Sequence, residues 1–175
     1  MNAIITKADF DSGYYKIARS TANDPTLQAY IDKYQEDSIH LILGKTVGTL
    51  FAADINGSGV PVTTKYLTIF NAIRDEDSGG AERLSIGMKK ILQAIIYYWY
   101  VSQEQVMSSQ SGMVATQNET SDKLSPEMAL RAAEIRYNDM LSSIRTIQWY
   151  CMENTPTDYP DFNGKRFEAV YSSFL

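Results

Sequence analysis

The fold is decided by one stretch of sequence, Ile91-Leu92-Gln93-Ala94-Ile95-Ile96-Tyr97-Tyr98-Trp99-Tyr100-Val101. No charged residue lies between Lys90 and Glu104, so a helix here is apolar nearly all round and must be covered on most of its sides. The stretch is shorter than the ~20 apolar residues needed to cross a bilayer. It therefore predicts a central, buried helix, which we expect to run from about Ala81 to Gln105.

Gly87 falls inside that expected helix. A glycine in a helix interior costs about 1 kcal/mol relative to alanine. We therefore expect another part of the backbone to approach the helix closely at this position.

Further helix signals lie on both sides of the central stretch. Asp24 and Pro25 are a favoured N-cap and first residue, and Gly44 is a plausible stop. Ser125 and Pro126 mark another start in the same way. Apolar residues at helical spacing predict helices over about 25–43, 46–53, 63–74, 81–105 and 126–153.

The segments between these helices are polar or rich in glycine. Asn56-Gly57-Ser58-Gly59 forces a turn, and residues 75–80 are predicted to form a polar loop. Residues 107–125 are too long for a simple helix connection, so we expect an extended loop or a loose hairpin. We favour a loop that contacts a partner, and disorder is the alternative.

The predicted fold is therefore mainly α: a helical bundle with an extended loop or β-hairpin and a C-terminal arm. Residues 1–155 make up the helical core domain, which includes the 107–125 loop, and residues 156–175 make up the arm. The arm is rich in aromatic residues. It must therefore pack on its own domain or on a neighbour.

The loop and the arm supply the candidate protein-interface residues. Apolar and aromatic side chains in such segments are typical of surfaces that another protein covers. The loop supplies Met113, Val114 and Asn118, and the arm supplies Tyr159, Phe162, Phe167, Tyr171 and Phe174.

Composition fits a globular protein and argues against a nucleic-acid binder. The 175 residues are 44% hydrophobic and 21% charged, with a net charge of −5. Tight binding to nucleic acid requires clustered Lys and Arg. An acidic surface can let DNA pass without sticking, although simple solubility is the more ordinary explanation. Met1 to Ile5 is too short for a signal peptide, so we expect a cytoplasmic protein with no membrane segment.

The sequence shows no recognisable catalytic pattern, and we expect neither enzyme activity nor a cofactor. Gly44-Lys45-Thr46 resembles the end of a P-loop, but Ile39 stands where that motif needs glycine. Read as a calcium loop, residues 75–86 have Ile86 where the loop needs Glu. The single His40 and the single Cys151 lie in apolar helical patterns. We expect both to be structural, and we expect no metal site.

Several local patterns occur in an order that resembles a known family. The first is Leu41-Ile42-Leu43-Gly44, followed by Lys65-Tyr66-Leu67-Thr68-Ile69-Phe70-Asn71 and by Ser85-Ile86-Gly87-Met88 running into the central stretch. The polar loop, a long helix and Asp158-Tyr159-Pro160-Asp161-Phe162 come next. Over roughly residues 24–164 this order resembles the head-to-tail connector (neck or adaptor ring) proteins of tailed bacteriophages, especially the Bacteroides-infecting and crAss-like type.

The resemblance implies a virion structural protein in the phage neck. It implies a homo-oligomer, commonly a twelve-subunit ring, that links the portal protein to other neck or tail rings. DNA would pass through the channel without specific binding, and the loops and arm would dock neighbouring proteins. The alternatives are a small cytoplasmic helical protein-interaction module and a helical enzyme with an unfamiliar site.

Overall fold

A computed structural model describes residues 2–17, 25–76, 80–110, 126–155 and 157–170. Helices dominate, as predicted for a mainly α fold, and one antiparallel β-hairpin accompanies them. A 3₁₀ helix, Lys7–Phe10, comes first. The further elements are α1 (Pro25–Leu43), α2 (Lys45–Asp54), α3 (Thr64–Phe70), β1 (Ile73–Glu76), β2 (Glu82–Ser85), α4 (Met88–Gln110), α5 (Pro126–Asp139) and α6 (Leu141–Glu153).

Helix α4 lies at the centre of the molecule, which confirms the main prediction from residues 91–101. Helices α1 and α5 pack along it, and α3 and the 3₁₀ helix contact its first half. Its side chains from Ile91 to Ile96 are fully or almost fully buried. Burial of such a run supplies a large share of the hydrophobic free energy of folding, because each large apolar side chain contributes about 1.5–3 kcal/mol.

The predicted start of α4 at Ala81 was wrong. Residues Glu82–Ser85 form strand β2, which pairs with β1, and the helix begins at Met88. Gly87 separates the two elements with a φ of 85°, a backbone conformation that glycine adopts readily and other residues avoid. A Cβ atom at Gly87 would lie 2.5 Å from the carbonyl oxygen of Phe70. The expected close backbone approach is therefore present, but it lies just before the helix.

The same hairpin shortens the helix predicted over 63–74. Helix α3 ends at Phe70, and Ile73 opposes Ser85 in the hairpin. The predicted polar loop at 75–80 is also partly wrong, because Asp75 and Glu76 belong to β1. Asp75 and Glu76 pair with Arg83 and Glu82 of β2, and the Glu76 N–H donates to Asp75 Oδ1 at 2.9 Å. The sequence window alone does not contain the information on this pairing.

The helix predicted over 126–153 is two helices. Met140 interrupts it, and its N–H donates to the carbonyl of Tyr137 at 3.2 Å, three residues back rather than four. The tighter turn lets α5 stay against α4 while α6 packs against β2 and α1. Gly44 acts as expected: α1 ends at Leu43, and Gly44 has a φ of 78°.

The first four residues of the extended loop predicted over 107–125 are helical instead. Residues 107–110 continue α4, and residues 111–125 lie outside the described part of the chain. The same holds for the predicted caps Asp24 and Ser125. Within the described ranges, none of the helices has both the length and the hydropathy that a membrane span requires.

Candidate functional site: two tryptophan-bearing surfaces

A chain of aromatic rings crosses the surface of the layer formed by α1, α4 and α5. We call it the aromatic ribbon, and its members are Tyr30, Tyr34, Trp99, Tyr98 and Tyr137. Tyr34 and Trp99 stack with centroids 5.3 Å apart, and Trp99 meets Tyr98 edge-on at 5.3 Å. The ring centroids of Tyr98 and Tyr137 lie 4.8 Å apart. The ribbon thus joins three helices through ring contacts of favourable geometry.

Hydrogen bonds hold the α1 end of the ribbon in place. The hydroxyl of Tyr30 donates to Gln103 Oε1 at 2.7 Å, and Gln103 Nε2 donates to the Tyr34 hydroxyl at 3.2 Å. The ammonium group of Lys33 lies 4.8 Å from the Tyr34 ring centroid, within cation–π range. Trp99 is nevertheless 37% exposed, so the ribbon presents an ordered aromatic surface to solvent.

A second surface lies on the outer stripe of α6. Arg145, Trp149 and Met152 follow one another at spacings of four and three residues, which places them on one helix face. All three are exposed, and Trp149 is 42% exposed. We call these three residues the α6 stripe.

The hairpin supports the α6 stripe from one side. The guanidinium of Arg83, on β2, lies 4.5 Å from the Trp149 ring centroid and bonds Glu153 at 2.6 Å. Thr146 Oγ1 donates to the carbonyl of Leu84 at 3.0 Å, which fixes β2 against the helix. The Trp149 indole is therefore stacked on one side and open on another.

An extended segment of residues 163–170, which we call the strap, borders α6 on its other side. Lys165 N–H donates to the Leu41 carbonyl at 2.7 Å, and Gln148 Nε2 donates to the Lys165 carbonyl at 2.8 Å. Asn138 Nδ2 donates to the Val170 carbonyl at 2.8 Å, and the Val170 N–H donates to Asn138 Oδ1 at 2.9 Å. Side-chain amides of α5 and α6 thus make hydrogen bonds to the strap backbone of the kind that a neighbouring strand would make.

The predicted interface residues of the arm have different environments. Tyr159 is fully buried, and its hydroxyl donates to the Lys65 carbonyl at 2.6 Å. Its ring belongs to the chain's own core and offers no surface to a neighbour. Phe162 and Phe167 are half-buried and pack against that core. The remaining predicted interface residues, which fall outside the described ranges, are Met113, Val114, Asn118, Tyr171 and Phe174.

Buried titratable groups surround the first half of α4, and they are structural. The guanidinium of Arg136 lies between the rings of Tyr14 and Tyr97, 4.8 and 5.0 Å from their centroids. Burial raises the pKa of Tyr15 to about 12 and also raises the pKa of Tyr97. These phenols are neutral at physiological pH and act as packing groups and hydrogen-bond donors. A cleft of about 530 Å³ lies beside them, lined by residues that include Tyr14, Lys90 and Asp139.

Cys151 and His40 occupy the kinds of position expected for them. Cys151 is fully buried, and burial raises the pKa of its thiol to about 12, which makes the nucleophilic thiolate scarce. His40 Nε2 lies 3.4 Å from Thr49 Oγ1, and its ring packs against Gly48, where a Cβ would lie 2.7 Å away. Across the described part of the chain, no three His, Cys, Asp or Glu side chains are grouped to hold a metal ion.

The α6 stripe is the part of this site that the sequence reasoning missed. The spacing of Arg145, Trp149 and Met152 is visible in the sequence, and it indicates one face of a helix. The buried residues Ile144, Ile147 and Cys151 occupy the other side of α6, which leaves the stripe outside. No family model, no curated protein and no solved structure matches this chain.

Proposed function

We propose that this chain is a virion structural protein, a subunit of a ring in the neck of a tailed phage that links the portal to the tail around the DNA channel. The observation that carries the proposal is the exposure of both tryptophans of the chain, on two separate helices. Trp99 and Trp149 are 37% and 42% exposed. Tryptophan is usually highly buried in folded proteins and is enriched among residues that dominate protein–protein binding.

The way these tryptophans are held supports an interaction role. Tyr34 stacks on Trp99, and Arg83 stacks on Trp149. A side chain that is already ordered loses less conformational entropy when a partner binds. A subunit within a ring needs two distinct contact surfaces, one for each neighbour. The aromatic ribbon and the α6 stripe are two such surfaces.

The phage neck is proposed because the sequence resembles phage connector proteins. The acidic composition of the chain is compatible with that role. With a net charge of −5, the assembled ring would repel the phosphate backbone and leave DNA mobile. The partners would be further copies of this chain, the portal protein and adjoining neck or tail rings.

Mass photometry tests the proposal with the purified full chain, first alone and then mixed with the portal protein of the same phage. We expect closed rings in the mixture, and negative-stain images should show a central opening. Some ring subunits remain monomeric until they meet the portal, so the measurement on the mixture is the decisive test of ring formation. A chain that stays monomeric with the portal and with the adjoining neck proteins would refute the proposed function.

A discrete complex of one or two copies with a different protein would instead support a small helical interaction module. The same exposed tryptophans favour that alternative, because they fit any protein partner. The stoichiometry of the complex separates the two functions.

A further inference from the structure

The charge of the α6 stripe differs from that of the chain as a whole. The chain carries 21 Asp and Glu against 16 Lys and Arg. Around Trp149, however, the neighbouring charges are Arg145, Arg83 and Glu153, with Arg83 and Glu153 bonded to each other. Within the described chain no hydrogen bond or ion pair engages Arg145, so its charge is available to another molecule.

The exposed face of α1 has the opposite sign. It presents Asp32, Glu36 and Asp37, with Lys33 as the single cation among them. The Lys33 ammonium is directed onto the Tyr34 ring, and Asp32 accepts a hydrogen bond from Gln28 at 2.8 Å. Neither Glu36 nor Asp37 makes an ion pair with a described residue. We call Asp32, Glu36 and Asp37 the acidic face.

The acidic face borders the aromatic ribbon. Asp37 follows Tyr34 by three residues, so the two side chains are neighbours on the helix surface. The α6 stripe therefore combines an unpaired arginine with an exposed, stacked tryptophan. The acidic face combines unpaired carboxylates with the neighbouring Trp99 stack, and Lys45 and Lys165 line a cleft together with Asp37. Complementary charge gives an interface its orientation and its selectivity, while aromatic and arginine side chains supply most of the binding energy.

We infer that the α6 stripe of one copy docks on the acidic face of α1 in a second copy, with Arg145 opposite Glu36 and Asp37. This inference rests on the proposed function, since it identifies the contact that builds the ring. Repulsion between like charges disfavours the pairing of either surface with its own kind. The contact is therefore heterologous, and a heterologous contact that closes by rotation generates a ring.

Charge reversal tests the inference through two single variants and their mixture. Arg145→Glu makes the α6 stripe acidic, and Glu36→Arg places a cation on the acidic face. Each variant alone should lose the assembly, because acid would face acid in the first and Arg145 would face a new arginine beside Asp37 in the second. An equimolar mixture should assemble again, since each variant offers the surface that the other needs. The double variant should also assemble alone.

Arg74→Glu is the matched control. It reverses another exposed arginine, on β1 and outside both surfaces, whose side chain is 77% exposed and pairs with Glu82 at 2.8 Å. We expect it to assemble as the unchanged chain does. Circular dichroism and thermal melting of the Arg145 and Glu36 variants should match the unchanged chain, because neither residue makes a described hydrogen bond or ion pair. Arg74→Glu should lose only the solvent-exposed ion pair of Arg74 with Glu82, a small effect on stability.

The outcomes separate this inference from the proposed function. If the unchanged chain forms rings and both single variants also form them, the inference is wrong and the ring proposal stands. If both single variants fail and their mixture also fails, complementary docking is refuted. If the unchanged chain never assembles, with or without the portal protein, the proposed function and the inference fall together.

Discussion

Tyr34 and Trp99 lie on different helices with their ring planes only 4° apart and their centroids 5.3 Å apart. Their helices, α1 and α4, are separated by more than forty residues of intervening chain. The stack therefore depends on the tertiary packing of α1 against α4 and not on local structure. It also holds an exposed tryptophan in a defined orientation before any partner binds.

Replacement of Trp99 separates its two contributions. Trp99→Ala should lower the free energy of unfolding by about 2 kcal/mol, since aromatic pairs contribute ~0.5–1.5 kcal/mol beyond area burial and the side chain is partly exposed. A fully buried aromatic would cost about 3–5 kcal/mol. Urea denaturation of the unassembled chain measures the difference. Trp99→Phe is the control and should retain most of the stability, while a loss of 4 kcal/mol in the alanine variant would contradict the exposed position.

A comparison of Gly87 with Gly80 tests the close backbone approach that precedes α4. Both have positive φ, 85° and 78°, but beyond its chain neighbours no described residue places an atom within 4 Å of a Cβ built at Gly80. Gly80→Ala should cost about 1 kcal/mol from backbone conformation alone. Gly87→Ala should cost clearly more, because its methyl group would meet the Phe70 carbonyl at 2.5 Å. Equal losses in thermal melting would show that this contact relaxes freely.

Tyr159 anchors the start of the C-terminal arm. Tyr159→Phe removes the donor to the buried Lys65 carbonyl and should cost about 1–3 kcal/mol. Tyr159→Ala also opens a cavity and should cost about 3–5 kcal/mol. Chemical denaturation gives both values. Tyr14→Phe removes a hydroxyl whose 3.3 Å hydrogen bond to Asp139 Oδ2 is exposed to solvent. It should therefore change stability little, and a comparable loss there would contradict the specific role of Tyr159.

Asp9 makes stability depend on pH. Burial raises its pKa, but hydrogen bonds from Lys89 and Thr6 and the Lys89 charge outweigh burial, and the pKa lies below 3.8 in the folded chain. The stability from this carboxylate is therefore complete above the unfolded pKa and is lost as pH falls through the folded one. Asp9→Asn should be less stable than the unchanged chain at pH 6, and the difference should shrink below about pH 4.

The partner of Asp9 provides the control. Lys89 Nζ lies 2.9 Å from Asp9 Oδ1, so Lys89→Met should remove part of the same pH dependence. In the double variant the two losses should be less than additive, as expected for groups in direct contact. Simple additivity over pH 3–7 would show that the ion pair does not cause the shift.

The sequence predicted those parts of the fold that depend on local pattern. The apolar run of α4, the stop at Gly44 and the burial of Cys151 follow from side-chain type and spacing, and the structure confirms them. The fold prediction included a β-hairpin, but its position at residues 73–85 was missed because Arg83 and Leu84 are stabilised by pairing with β1 and packing against α6. Neither contact can be inferred from a window around those residues.

The candidate site was harder to predict than the fold. Aromatic composition singled out the C-terminal arm, yet Tyr159 is a core residue. Trp149 was missed because a tryptophan is ordinarily expected to be buried, although the buried residues Ile144, Ile147 and Cys151 occupy the other side of α6. Local sequence therefore predicts that a helix is amphipathic, whereas the exposure of a large aromatic side chain on its outer face is seen only in the packed structure.

The burial of Cys151 has a practical consequence for the study of this protein. A chain with a single, unreactive thiol needs no cysteine removed before new ones are introduced. Maleimide dyes on cysteines placed beside Trp149 and beside Glu36 would report distances by energy transfer, within one copy and between copies. The native thiol would take up little dye and would therefore add little background fluorescence to such measurements.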